Sequence, residues 1–194
     1  TKAITTTGVM LLYERGLFQL NDPISKYIPE FKNPQVLVEA DDEGNVLKTE
    51  PAKREIRIVD LLSQSSGICY GHRKHKLQKV YQKNGIIGGL NDKDIKLEDH
   101  IKKLAKLPLL FSPGTNYEYG LSTDVLGYLC EVISGLPFDQ FLKEEIFVPL
   151  KMNDTYFFIP LVLGLTGMYF HLKKDRQSFF IVLALFVMGG LGLT

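Results

Sequence analysis

Charge all but stops at residue 155, and that break limits what this chain can fold into. Of its 23 Lys+Arg and 22 Asp+Glu, all but Lys173, Lys174, Asp175 and Arg176 precede Thr155. Residues 155–172 and 177–194 are two stretches of 18 residues with no charge. A helix needs about 20 apolar residues to cross a hydrocarbon core, so each stretch reads as a candidate span. The connection 173–176 is too short for anything but a helical hairpin. Gly164, Gly167, Gly189, Gly190 and Gly192 suit helix packing in lipid better than a soluble helix interior. A buried hairpin in a soluble core is the alternative. The excess of Lys and Arg in the connection predicts that it faces the cytoplasm, with both flanks on the other side.

The rest of the chain has ordinary soluble composition. A net charge of +1 excludes nucleic-acid binding built on bulk positive charge. Cys69 and Cys130 are too few for a disulfide framework and too far apart for a CxxC motif, which leaves them as small buried residues. The chain opens on Thr1-Lys2-Ala3, directly in a helical pattern, and stops at Gly192-Leu193-Thr194 inside an apolar run. Both ends look cut, as expected for a piece of a longer protein.

Before residue 155 the pattern alternates helices and short strands. Residues 4–15 carry a broad apolar face and are followed by Gly16, a helix with its C-cap. A short extended piece over 17–23 closes in a turn, and a helical turn follows at 24–27. Residues 36–47 and 55–59 alternate like strands, with Asp42-Glu43-Gly44-Asn45 as the hairpin turn between them. A short helix over 60–65 ends at Gly67. Residues 71–99 are polar and Lys-rich and read as a mobile excursion. Helices are expected at 97–107, 122–134 (ended by Gly135) and 138–147, with a loop over 108–115.

A few residues carry chemistry. Lys2 stands at a helix start, where the dipole and burial both disfavour its charge, and a Lys of lowered pKa can act as a base toward a hydroxyl. Taken alone, a terminal Lys is more simply a solvated one. Tyr117 and Tyr119 follow the tight loop Ser112-Pro113-Gly114, which could fix a phenol in a cleft or simply pack an aromatic. His72 and His75 have a spacing a metal could use, but no carboxylate or Cys partner stands at ligand spacing.

The order of segments adds to this. Thr1-Lys2, then residues 8–17 and 20–29, then Ile58-Val59-Asp60-Leu61-Leu62-Ser63-Gln64-Ser65-Ser66-Gly67 follow in sequence. Pro113-Gly114 through Tyr119, Ser122 through Tyr128, Glu131 through Gly135, and Pro149 through Tyr156 complete the order. This succession resembles the beta-lactamase-related serine hydrolases, which include class C beta-lactamases, penicillin-binding DD-peptidases and serine esterases. The 58–67 run resembles that family's LLTHTSG segment. The resemblance covers residues 1–157. It implies an α+β, mostly helical fragment of the beta-lactamase/transpeptidase-like fold: a helical subdomain and a β-hairpin. Residues 158–194 would follow as a transmembrane helical hairpin.

The resemblance also implies roles. Lys2 takes the Lys position of the family's Ser-x-x-Lys motif, so the nucleophilic Ser would lie two residues before Thr1. Tyr119 falls on the Tyr of Tyr-x-Asn, but Leu121 stands where the Asn would be, which favours esterase-like members over lactam hydrolysis. The third motif, Lys/His-x-Gly on a late strand, is absent. The implied chemistry is acyl transfer on an ester, lactam or D-alanyl peptide, with no cofactor and no metal. The chain as it stands is expected to be inert and, lacking the central sheet, marginally stable. Residues 164–175 and 178–180 resemble part of a bacterial multi-spanning membrane family related to protein O-mannosyltransferases. Two readings follow: a membrane-tethered hydrolase with an extracytoplasmic catalytic face, or a chimera of two unrelated frames. In the second, function could lie in a membrane protein that is no hydrolase.

Overall fold

The chain divides into two units, Thr1–Thr155 and Tyr156–Thr194. A computed structural model describes residues 2–86, 96–152 and 155, all within the first unit. The uncharged stretches beyond Thr155 lie outside the described residues. Among the described residues no helix is long and apolar enough to cross a membrane.

Helix α5, Ser122–Ser134, is the centre of the unit. Ser122, Thr123 and the whole run from Val125 to Cys130 are buried, so it lacks the polar face of a surface helix. Its C-terminus is capped as the sequence predicts: Gly135 takes φ 72° and donates its N–H to the Glu131 carbonyl at 2.9 Å. Helix α1, Lys2–Glu14, lies against it and buries Thr5, Gly8, Val9 and Leu12, an i, i+3, i+4, i+7 stripe. Helices α2 (Ile58–Leu62), α4 (Leu97–Ala105) and α6 (Phe138–Leu142) pack around α5 from other sides. Helix α6 runs on into a π-helical turn at Lys143–Phe147.

The hairpin forms, with its second strand moved. Strands β1 (Gln35–Ala40) and β2 (Val46–Pro51) pair antiparallel, with Gln35 opposite Pro51 and Ala40 opposite Val46. Asp41 holds the turn, its carboxylate accepting from the Glu43 and Asn45 N–H groups at 3.0 and 2.7 Å. Residues 55–59 form no strand in this sheet. Their backbone pairs instead with residues 20–24: Ile24 N–H donates to the Ile56 carbonyl at 2.8 Å and Val59 N–H to the Leu20 carbonyl at 2.9 Å. Ile56 and Ile58 are fully buried on either side of the more exposed Arg57, so an extended lead-in to α2 produces the alternation that reads as a strand.

The expected mobile excursion is anchored where it is described. Helix α3, Gln78–Lys83, buries Val80 and Tyr81, with Leu77 before it and Ile86 after it also buried. Its Lys79 bonds Asp42 at 2.6 Å and Lys83 reaches Asn45, while Lys76 donates to the Leu37 carbonyl, so the lysines tie α3 to the hairpin. Residues 87–95 lie outside the described residues.

Beneath α2, Asp60 is 3% exposed and accepts from Arg54 Nη1 and Nη2 at 2.5 and 2.9 Å and from the Arg57 N–H at 2.8 Å. Burial alone would raise its carboxyl, but these bonds outweigh it and hold the group below the usual carboxylate range. This pair fixes the start of α2, and with it the turn that enters the candidate site.

Candidate active site

Five segments meet around the amine of Lys2, one of them the loop that carries Tyr70. The first turn of α1 supplies the amine, the turn after α2 supplies Gln64, residues 119–120 form a loop edge, and the first turn of α5 supplies Thr123 and Asp124. Lys2 Nζ donates to the Gly120 carbonyl and to Thr123 Oγ1, each at 3.0 Å. It lies 4.6 Å from the centre of the Tyr119 ring and 5.5 Å from that of Tyr70, with the two rings 5.7 Å apart. Lys2 and Tyr119, predicted from distant parts of the sequence, are brought together.

The loop edge needs a glycine. A Cβ on Gly120 would fall 2.4 Å from the Ile68 carbonyl oxygen and 2.6 Å from Cys69 Cα, where no side chain fits. The backbone it presses on is itself fixed by a buried hydroxyl pair, Ser66 Oγ to Ser122 Oγ at 2.9 Å, with Ser66 Oγ also accepting from the Ile68 N–H. Outside, Arg73 stands 5.6 Å over the Tyr119 ring and pairs with Glu118 at 3.2 Å.

Burial dominates the electrostatics. It lowers the pKa of Lys2, and the nearby charge of Asp124 only partly offsets this. Burial likewise raises Asp124, against the opposing pull of Lys2. The same desolvation, with the Asp124 charge adding to it, pushes the Tyr70 phenol up to about 12. An amine whose pKa is lowered gives up its proton more readily than a solvated lysine, which is what a base at this place would need.

Other residues singled out in the sequence have different tasks. Tyr117 is 63% exposed and fixes nothing in a cleft. His72 stacks on Tyr70 at 4.9 Å. His75 is structural: Nδ1 accepts from the Leu77 N–H at 3.2 Å, which leaves the Nε2 proton to donate to the Tyr70 carbonyl at 2.9 Å. Both cysteines are buried and free, as their scarcity implied, with thiols pushed up to about 12 by burial. Gln64, Tyr70, Thr123 and Asp124 were not identified from sequence, and only Tyr70 lies outside the segments that carry the family resemblance. An open groove lined by Lys32, Pro34, Gln35, Leu107 and Pro108 shares no residue with this cluster.

Comparison with known proteins shows the family of the chain. Residues 1–166 match the family described as beta-lactamase, and the chain belongs to it. The match runs past residue 157, so the first uncharged stretch begins inside the family's domain. Among curated relatives, esterase EstB of Burkholderia gladioli is 32% identical over 157 residues, covering 81% of this chain and 36% of the esterase. Monacolin J acid methylbutanoyltransferase of Aspergillus terreus is 31% identical over the same length, with 81% and 36% covered. The solved structure of EstCE1, a hydrolase with promiscuous acyltransferase activity, superposes with a TM-score of 0.63 at 29% identity, over 77% of this chain and 36% of that one. The chain spans little more than a third of the curated relatives it matches. None of these comparisons supports the expected resemblance of the tail to a membrane family.

Proposed function

We propose that the chain carries the proton-transfer half of a serine acyl-transfer centre acting on a small-molecule ester. The observation that carries this reading is the half-buried amine of Lys2, aimed by the Gly120 carbonyl and the Thr123 hydroxyl and lying 4.6 Å from the Tyr119 ring. The nucleophile is a Ser two residues before Thr1, three before Lys2. Lys2, in its neutral form, takes the proton from that hydroxyl as the oxygen attacks the ester carbonyl. The proton returns through the Tyr119 phenol to the alkoxide as its bond to the carbonyl carbon breaks, so the alcohol leaves and the acyl group stays on the Ser oxygen as the acyl-enzyme. Water or a second alcohol then takes the acyl group by the same steps in reverse. Leu121 in place of an Asn favours esters over lactams, in keeping with the esterase and acyltransferase names among the relatives.

The test uses the whole reading frame that contains this chain. A fluorophosphonate should form a covalent adduct on that Ser and p-nitrophenyl butyrate should be cleaved faster than a chromogenic cephalosporin. Both activities should disappear in Lys2→Ala. An adduct that forms equally fast in Lys2→Ala, or faster cleavage of the cephalosporin, overturns the reading. The 194 residues alone offer no Ser three positions before Lys2 and should leave both substrates intact.

A further inference from the structure

Gln64 holds a backbone conformation that a side chain disfavours. Its φ is +56°, in the left-handed region, where a non-glycine residue stays only when its surroundings hold it. What holds it is the candidate site. Its amide is used at both ends: Oε1 accepts from the Gly120 N–H at 3.1 Å, and Nε2 donates to Thr123 Oγ1 at 3.2 Å. Its own carbonyl accepts from the Glu118 N–H at 2.9 Å, on the other side of Tyr119. The Gly120 carbonyl and the Thr123 hydroxyl are the acceptors of Lys2, each at 3.0 Å. Both anchors of the amine therefore sit on residues that Gln64 also grips.

We infer that Gln64 is a positioning residue for the Lys2–Tyr119 pair, an amide clip that sets the direction of the Lys2 amine by fixing both of its acceptors and both flanks of Tyr119. The inference rests on the acyl-transfer reading above. The chemistry suits an amide, which donates and accepts at once without charge. A carboxylate there would lose the donor and bring a negative charge within one hydroxyl of Lys2. The groups already facing that amine are Asp124 from α5 and the Tyr70 and Tyr119 rings, with Arg73 on the outer side of Tyr119.

Two substitutions separate positioning from mere stability. Gln64→Gly removes the clip and relieves the left-handed backbone together, so the unfolding midpoint should move little. In the 194-residue chain, the Gly120 N–H should exchange with solvent at least about 10-fold faster in this variant, while the α5 amides are unchanged. Gln64→Glu should move the pH midpoint for acylation of the Lys2 amine upward by about one pH unit, read by mass spectrometry of the Lys2 peptide. In the whole reading frame, Gln64→Gly should lower kcat for an ester while leaving KM nearly unchanged. Gly120 exchange that does not quicken, a Lys2 midpoint that does not rise, or an unchanged kcat overturns the inference. If the exchange and acylation changes appear but the parent forms no serine adduct, the acyl-transfer reading fails and with it the positioning role, leaving only a structural tie.

Discussion

Lys2 and Tyr119 meet amine to ring, with Nζ 4.6 Å from the ring centre, and the amine is the partner whose charge burial disfavours. A base of this kind should act at lower pH than an ordinary lysine, whose value is about 10.4. In the whole reading frame, the rate of fluorophosphonate labelling should rise with pH along an acid limb whose midpoint lies below that value. Lys2→Arg, which stays protonated, should slow labelling by about 10²–10⁴-fold, the range of a lost general base. A midpoint at or above the ordinary lysine value would falsify the assignment of Lys2 as the base.

Asp60→Asn tests the buried pair under α2. Asp60 is 3% exposed beside a one-third-exposed Arg54, and removing one partner of such a pair costs about 3 kcal/mol. Urea unfolding should show a loss of that order, with the slope unchanged. The pH dependence has a definite sign. The folded-state value lies below the unfolded one, so the stabilisation is complete above about 4 and is lost as pH falls through the folded value. Asp22, lowered to about 2 by hydrogen bonds from Lys26 and Tyr27, should add to the loss in the same acidic window.

Gly120→Ala should destabilise by about 1–3 kcal/mol, since its Cβ would meet the backbone of Ile68 and Cys69 rather than a side chain that could turn aside. Thermal unfolding measures this. Gly16→Ala, where a Cβ meets nothing within 4 Å, should cost less and only through its positive φ.

Cys69 and Cys130 are buried, with thiols raised to about 12. Neither should react with iodoacetamide at pH 8 in the native chain, and both should react in denaturant. Alkylation of either under native conditions would count against the packing around Tyr81 and α5.

Local signals in the sequence were reliable where a stop residue and an apolar repeat coincide. Helix α5 runs from Ser122 to Ser134 because Gly135 ends a continuous buried pattern, and the reading matched residue for residue. Alternation misled at 55–59, because an extended segment that inserts Ile56 and Ile58 into the core has a strand's period without a strand's partner. Leu77, Val80 and Tyr81 were masked among lysines, although their spacing is helical. The site was legible only through family resemblance. No local pattern announces that Gln64 will bond the residues that anchor Lys2 or that Tyr70 will face its amine, since both arrangements come from long-range packing.

The hydrogen bonds of Lys2 span 118 and 121 residues of chain. Closing a loop of that length costs entropy that the packing of α1 on α5 must offset. A ribosome must release residues past Thr123 before the amine can find both acceptors. Every shorter nascent chain therefore lacks at least one of the two anchors, and the direction of the amine is set only once the first turn of α5 is in place.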